Sequence, residues 1–524
     1  MEAADYTDHQ EGTNMAGGNY TTSSVSIPDI NFNGGLNSTS GPLSVENNES
    51  SGLQNIDFNK FGSILKRNGY TALNTTAITN SPNSDGLWWY EFVSSGAYAS
   101  FIINVGDGKL WKQDSLDGTW DDITGGLTIT ADNFCDFENF LNEVYITNNT
   151  DVPFKWTGSG DGVAMSVPSG LTKAKCVVQY NNYLFLGNVV VSSTTHKSRF
   201  YWSNIKDTGT WSAVNFIEVA KDDGQQIIRM IVLGDRLVVF KERSIYNVLF
   251  TGDNDIPFVV QKSSSPVGCV AQFSVQEVEN GLVFLSADGF YYYDGNNSYK
   301  ISSKIQNTIS NLNLTRLNQA VSLRQKGKNR YMCSVASSGQ TNNDTVIVWD
   351  WVLNAFTLYD GINAASMAVV WVNAIEERPY FGDYAGFVYR MDTGADDYPL
   401  NVQTAIDAHY YTNWKHYDDI VSEKAVPNVV IYYQTSNSIV TFAYSYDFES
   451  SDTYSQTFSL ATGTAVYGSA VYGTDIYAGA GGLQQRRDLD GRGRVVRFKF
   501  ANATIGETMQ IDGIGYYAHL ETNV

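Results

Sequence analysis

Groups able to do chemistry are thinly spread along this chain. Its five histidines, His9, His196, His409, His416 and His519, are scattered. His409 and His416 stand seven apart with no ligand-rich neighbour, so packing or solvent-facing roles are expected of them. The cysteines Cys135, Cys176, Cys269 and Cys333 lie 41, 93 and 64 residues apart with no CxxC. That spacing suits isolated core thiols, not a zinc site or a disulfide framework. There is no GxSxG elbow, no HExxH and no phosphate-cradling Gly-Lys-Ser/Thr loop. Asp488-Leu-Asp490-Gly491 holds a fragment of a calcium-loop pattern, but the later oxygen ligands and the closing Glu are missing, and it reads as a turn. Carboxylate pairs for glycoside chemistry cannot be read from spacing when the partners come from distant segments. No catalytic residue, metal or cofactor is assigned, and the chain is read as a non-enzyme.

One cluster does stand out. Arg486, Arg487, Arg492, Arg494, Arg497 and Lys499, with Asp488 and Asp490 among them, give a local +4 within fourteen positions. The whole chain has 34 Lys+Arg against 55 Asp+Glu, a formal charge of −21. Cations on a strand edge discourage strand pairing, which is the plain reading. The sharper one is contact with an acidic neighbour, a second copy of this chain included, because the planar guanidinium grips carboxylates in two places. Just upstream, Tyr467, Tyr472 and Tyr477 sit in a small Tyr/Gly repeat that runs to Gly482. Tyr buries large area at modest entropy cost, so these three join the six cations as candidate subunit or partner contacts.

What must position such residues is a large core. Of the 524 residues 43% are hydrophobic and 13% aromatic, and only 17% are charged, against roughly 25% in ordinary soluble domains. A disordered acidic chain is excluded. A strongly acidic balance also argues against electrostatic capture of nucleic acid. No apolar run approaches the ~18 residues needed to cross a bilayer, so no membrane insertion is expected. The first twenty residues are polar and acidic, unlike a secretory signal, so synthesis in a cytoplasm is expected.

Short β-branched and aromatic runs alternate with Asn, Asp, Gly and Ser clusters, the pattern of an all-β protein. Ile301, Ile305, Ile309 and Leu312 are the exception; their spacing predicts one amphipathic helix within residues 300–320. A hairpin recurs: an apolar strand, a tight turn, then a strand bearing a large aromatic. Asp107-Gly-Lys-Leu-Trp111, Asp288-Gly-Phe-Tyr-Tyr292 and Ala385-Gly-Phe-Val-Tyr389 align closely, and four looser copies complete the series. The markers Trp111, Trp156, Trp202, Tyr246, Tyr292, Trp349 and Tyr389 are spaced 45, 46, 44, 46, 57 and 40 apart. The long interval holds the predicted helix. A period near 45 is what a four-stranded propeller blade needs. Seven markers favour seven blades, with six the alternative.

The chain therefore divides into a flexible or docked arm (1–30), a β segment joining the propeller (31–84), a β-propeller (85–395) and a separate β-sandwich with the Tyr/Gly loop (396–524). At the N-terminal edge, Asn33-Gly-Gly-Leu-Asn37, Asn55-Ile-Asp-Phe58 and Gly62-Ser-Ile-Leu-Lys-Arg67-Asn-Gly-Tyr70 occur in order. Near the end stand Gly493-Arg-Val-Val-Arg-Phe-Lys-Phe500 and Gln510-Ile-Asp-Gly-Ile514. Together these resemble the tail hub or nozzle proteins of short-tailed bacteriophages, of the packaged-DNA-stabilisation type; Asn68 stands where that family often has Pro.

The resemblance implies a structural virion protein made in a bacterial cytoplasm. Its expected form is a homohexamer below the portal and its adaptor, at the head-tail connector. It would continue the DNA channel through ejection and anchor fibres or a spike. Six copies would carry 6 × −21 = −126 formal charges, so double-stranded DNA would pass without specific binding. The alternative is a glycan-binding or glycan-cleaving propeller, acting as a receptor-binding tail component or lectin.

Overall fold

The computed structural model describes residues 24–94, 96–113, 118–373, 375–461 and 484–521. Among these, seven four-stranded antiparallel sheets follow one another: residues 86–122, 136–164, 171–218, 227–262, 276–300, 321–359 and 366–391. They are numbered here as blades 1 to 7. Blade 7 lacks a fourth strand of its own and takes it from the N-terminal side. Tyr70–Ala72 pairs with Val388–Met391, in the register Met391–Tyr70 and Tyr389–Ala72. Every marker aromatic falls on the third strand of its blade, from Trp111 on Lys109–Gln113 to Tyr389 on Val388–Met391.

The blades are held together by apolar seams, one at each junction. Tyr90, Phe137 and Trp156 pack between blades 1 and 2; Tyr145 meets Leu171 and Leu184 between 2 and 3. Phe185, Trp202 and Met230 join 3 to 4, Phe240 and Phe284 join 4 to 5, and Leu285 and Tyr331 join 5 to 6. Val348 and Phe381 lie between 6 and 7. Finally Leu87 and Ile102 of blade 1 meet Val370 and Tyr380 of blade 7. Seven seams for seven blades make a closed ring. Each buried ring or branched chain contributes on the order of 2 kcal/mol, so the seams dominate stability.

Turn chemistry explains the Asn- and Asp-rich composition. Most non-glycine residues with positive φ are Asn or Asp, the types that tolerate the left-handed region. Asp107 (φ 53°) and Gly108 (φ 67°) turn the chain from Ala97–Gly106 into Lys109–Gln113. A Cβ at Gly108 would stand 2.6 Å from the Ile129 carbonyl oxygen, so the position needs glycine twice over.

Two further sheets pack face to face. One gathers Ile56–Phe58, Ile64–Lys66, Asn428–Tyr433 and Gln484–Asp488 around the long strand Gln510–Glu521, which also pairs with Ser24–Asp29 and Glu423–Ala425. The other runs Gly35–Leu36, Glu49–Gln54, Ala408–Thr412, Val496–Asn502, Ile439–Tyr446 and Tyr454–Ser459 in spatial order. Val496, Phe498, Phe500 and Asn502 alternate inward while Arg497, Lys499 and Ala501 are half-buried, the period-2 pattern of a sandwich strand.

Four expectations are corrected by this architecture. Residues 31–84 do not all join the propeller: five strands between residues 24 and 66 belong to the sandwich, and Tyr70–Ala72 alone closes blade 7. The arm is shorter than residues 1–30, because Ser24–Asp29 covers an edge that the twelve-residue strand Gln510–Glu521 would otherwise leave open. The sandwich is not separate, since Phe32, Leu36 and Ile56 share one core with Phe356, Tyr331 and Phe290 of blades 5 and 6. The helix of residues 300–320 is broken. A five-residue α-helix, Gln306–Ser310, is flanked by 3-10 turns at Ser303–Ile305 and Leu314–Gln319. Asn313 caps Thr315 with its side chain and starts a new turn, which stops propagation, while Ile305, Ile309 and Leu312 are still buried as the stripe requires.

Candidate functional site

The basic strip is divided by the fold. Arg486 and Arg487 lie on Gln484–Asp488, an edge strand of one sandwich sheet, while Arg497 and Lys499 lie on Val496–Asn502 inside the other. Arg492 and Arg494 occupy the exposed connection between them. Arg497 stacks over Tyr411 and Trp414, with its guanidinium carbon 4.4 and 4.5 Å from the ring centroids, and burial holds its pKa below the usual arginine value. Lys499 pairs with Asp452 at 2.7 Å and covers the same Tyr411 ring. Arg487 sits over Phe458. Arg486 reaches its neighbour Asp488 at 3.3 Å, and Arg492 reaches Glu423 at 3.8 Å.

Arg497, Lys499 and Arg487 are thus at least half-buried within the sandwich, while Arg486, Arg492 and Arg494 face outward, Arg486 and Arg492 beside their carboxylate partners. Tyr467, Tyr472 and Tyr477 lie outside the described residues. So do residues 1–23 of the arm.

A polar joint that sequence reasoning missed ties the sandwich to the propeller. Arg67 forks onto Asp397 with two bonds of 2.8 and 2.6 Å, both side chains buried, and also donates to Asn55 Oδ1 and the Asp360 carbonyl. Burial opposes its charge, but the Asp397 bonds outweigh that and raise its pKa further. Beside it Arg330 of blade 6 pairs with Asp57 at 2.8 Å, and Tyr359 donates to the same carboxylate. Asn55, Asp57, Arg67 and Tyr70 belong to the N-terminal motifs. Their partners Asp397, Arg330 and Tyr359 are hundreds of positions away, and no spacing rule could pair them.

The propeller axis holds a second missed group. A small cavity there is bounded by Asp85, Asp136, Arg229, Gln276, Ser322 and Ser366, drawn from several blades. Arg229 donates to Asp136, whose other oxygen accepts from the Val177 amide at 3.1 Å. Two positions along the strand, burial and the Asp136 charge push Glu138 up to about 8. Burial, with Asp132 adding to it, pushes Asp85 up to about 7. This arrangement can hold protons near neutral pH.

Elsewhere the reactive types are dispersed. Burial pushes the Cys269 thiol up to about 11 and those of Cys176 and Cys333 to about 12, so they stay protonated. His196 stands 3.4 Å from Glu218, and His409 packs edge-on to Tyr411. Among the described residues there is no His/Cys/Asp/Glu group able to hold a metal, and no helix long and apolar enough to cross a membrane.

Residues 103–332, from the second strand of blade 1 into blade 6, match the family described as Bacteriophage P22 Gp10, beta-propeller. No curated protein matches the chain. Similar solved structures include the computationally designed Ika8 protein, at TM-score 0.37 and 12% identity over 62% of this chain and 99% of that one. The mitotic checkpoint complex matches at 0.39 and 8%, over 61% and 96%. BBS1N in complex with ARL6DN matches at 0.37 and 9%, over 64% and 99%. Residues 103–332 thus carry a propeller similar to that of the phage packaged-DNA-stabilisation family, and this match supports a structural phage tail protein of that type.

Proposed function

We propose that this protein forms the hub or nozzle ring of a short phage tail, a homohexamer below the portal and its adaptor that continues the DNA channel, retains the genome and anchors fibres or a spike. The observation that carries the reading is the family match over residues 103–332 of the propeller. The net charge of −21 supports it, since an acidic wall lets DNA slide without being held. So does the shape of the sandwich. Its outward cations Arg486, Arg492 and Arg494 sit on a chain that is otherwise acidic, which suits a head-to-tail contact between copies. Catalysis has no place in this role.

The test is the mass of the purified full-length protein, alone and with the adaptor. A six-fold assembly is expected, weakened when Arg486, Arg492 and Arg494 are together replaced by Gln. A protein that stays monomeric in both conditions overturns the ring.

A further inference from the structure

One face of the propeller carries a groove that the channel role does not use. Its outer part lies where the hairpin of residues 86–106 in blade 1 stands beside the hairpin of residues 366–382 in blade 7, and its inner part is also bounded by Glu277 of blade 5 and Arg324 of blade 6. Two adjoining cavities there, of about 430 and about 530 Å³, share Glu91 and Trp371 and so form one trough from the axis to the rim. Its size is within the roughly 300–1,000 Å³ of small-ligand sites.

The walls are aromatic. Trp88 and Trp89 lie at the axial end, Trp371 at the middle and Tyr98 at the rim, with Tyr98 92% exposed. Between the rings stand planar polar groups. Trp88 Nε1 donates to Asn139 Oδ1 at 2.9 Å, and Asn139 Nδ2 donates to the Trp89 carbonyl at 3.3 Å, which fixes that amide. The buried Trp89 Nε1 has no acceptor of its own. Glu91, Glu277 and Glu377 contribute carboxylates, and Arg324 is held to the Glu277 carbonyl at 3.1 Å.

We propose that this groove binds a neutral oligosaccharide. A sugar ring has an apolar C–H face that packs on Trp or Tyr, and an equator of hydroxyls that pair with carboxylates and amides. The groove offers those two surfaces in alternation. An apolar peptide would strand three carboxylates without partners. A nucleic acid or an acidic glycan would face three negative charges against the single Arg324. The inference goes beyond the channel role and does not depend on the ring.

The experiment is a glycan array probed with the full-length protein, followed by tryptophan-fluorescence titration with the neutral oligosaccharide that gives the strongest signal. Maltoheptaose and chitotetraose are included as neutral probes, and sialylated glycans as acidic ones. Binding of a neutral member is expected, weakened about tenfold or more by Trp371→Ala and by Tyr98→Ala, as for loss of a central aromatic anchor. Tyr98→Ala removes an exposed ring and keeps the test valid should Trp371→Ala disturb folding. Absence of binding to every neutral glycan, preference for the acidic ones, or affinity unchanged in both variants would each overturn the proposal.

Discussion

Glu138 shows how a single residue can carry information that its sequence context hides. In the chain Asp136-Phe-Glu138 looks like an exposed acidic strand. In the fold it stands by the axis, close to Asp136 and Arg229, and accepts from the Gln179 amide. Its pKa rises from the ordinary 4.5 to about 8, chiefly through burial and then through the Asp136 charge. The folded state therefore keeps a proton that the unfolded chain releases above its own pKa. Stability from this residue is undiminished below about pH 4.5, falls as pH rises toward 8, and is flat beyond. Asp85 acts in the same direction, up to about pH 7. Because the axis admits some water, the Glu138 penalty is on the order of 2 kcal/mol, less than the full shift would give. Denaturant unfolding at pH 5 and pH 8.5 checks this. The wild type is expected to lose stability across that interval, and Glu138→Gln to lose much less; equal losses would show that Glu138 ionises freely in the fold. The joint at Arg67 was half legible. Its motif was visible, but its partner Asp397 was not, since a buried ion pair is made by topology and leaves no local period.

Among the elements, the third strands were the easiest to see. The hairpin of strands two and three repeats with a large aromatic, and Trp156, Trp202, Tyr246 and Tyr389 among these lie in the seams between blades, a need met locally. The boundary elements were not legible for the opposite reason. Ser24–Asp29, Glu49–Gln54 and Ile64–Lys66 are short strands that could serve either body, and only the pairing with residues 408–521 decides. Tyr70–Ala72 is the most consequential of them. The Tyr70 ring packs edge-on to Phe381 and Tyr389, and its hydroxyl donates to the Gly361 carbonyl at 2.8 Å. Three residues thus close a ring of seven blades. Tyr70→Ala is expected to cost about 3–5 kcal/mol, as for other buried aromatic truncations, and Tyr70→Phe about 1 kcal/mol for the lost hydrogen bond. Unfolding curves measure both. If the two variants proved equally mild, closure would rest on the seams alone.

At the scale of the whole molecule, the charge distribution decides what the protein can do with DNA. A chain at −21 sets a repulsive field, and counterion release from phosphate requires clustered cations. The cluster of residues 486–499 is broken by the fold: Arg497 lies over Tyr411 and Trp414, Lys499 is bound to Asp452, and Arg487 covers Phe458. Of the three outward guanidiniums, Arg486 stands beside Asp488 and Arg492 beside Glu423, which makes a weak phosphate site. The purified protein is therefore expected to leave duplex DNA unretarded in a gel-shift assay at about 0.15 M salt, and still at about 0.05 M, where a basic binder would gain affinity steeply. Retention at low salt that disappears on replacing Arg486, Arg492 and Arg494 by Gln would show a DNA-gripping patch. The chain would then stabilise packaged DNA by holding it, not by confining it within a wall it cannot adhere to.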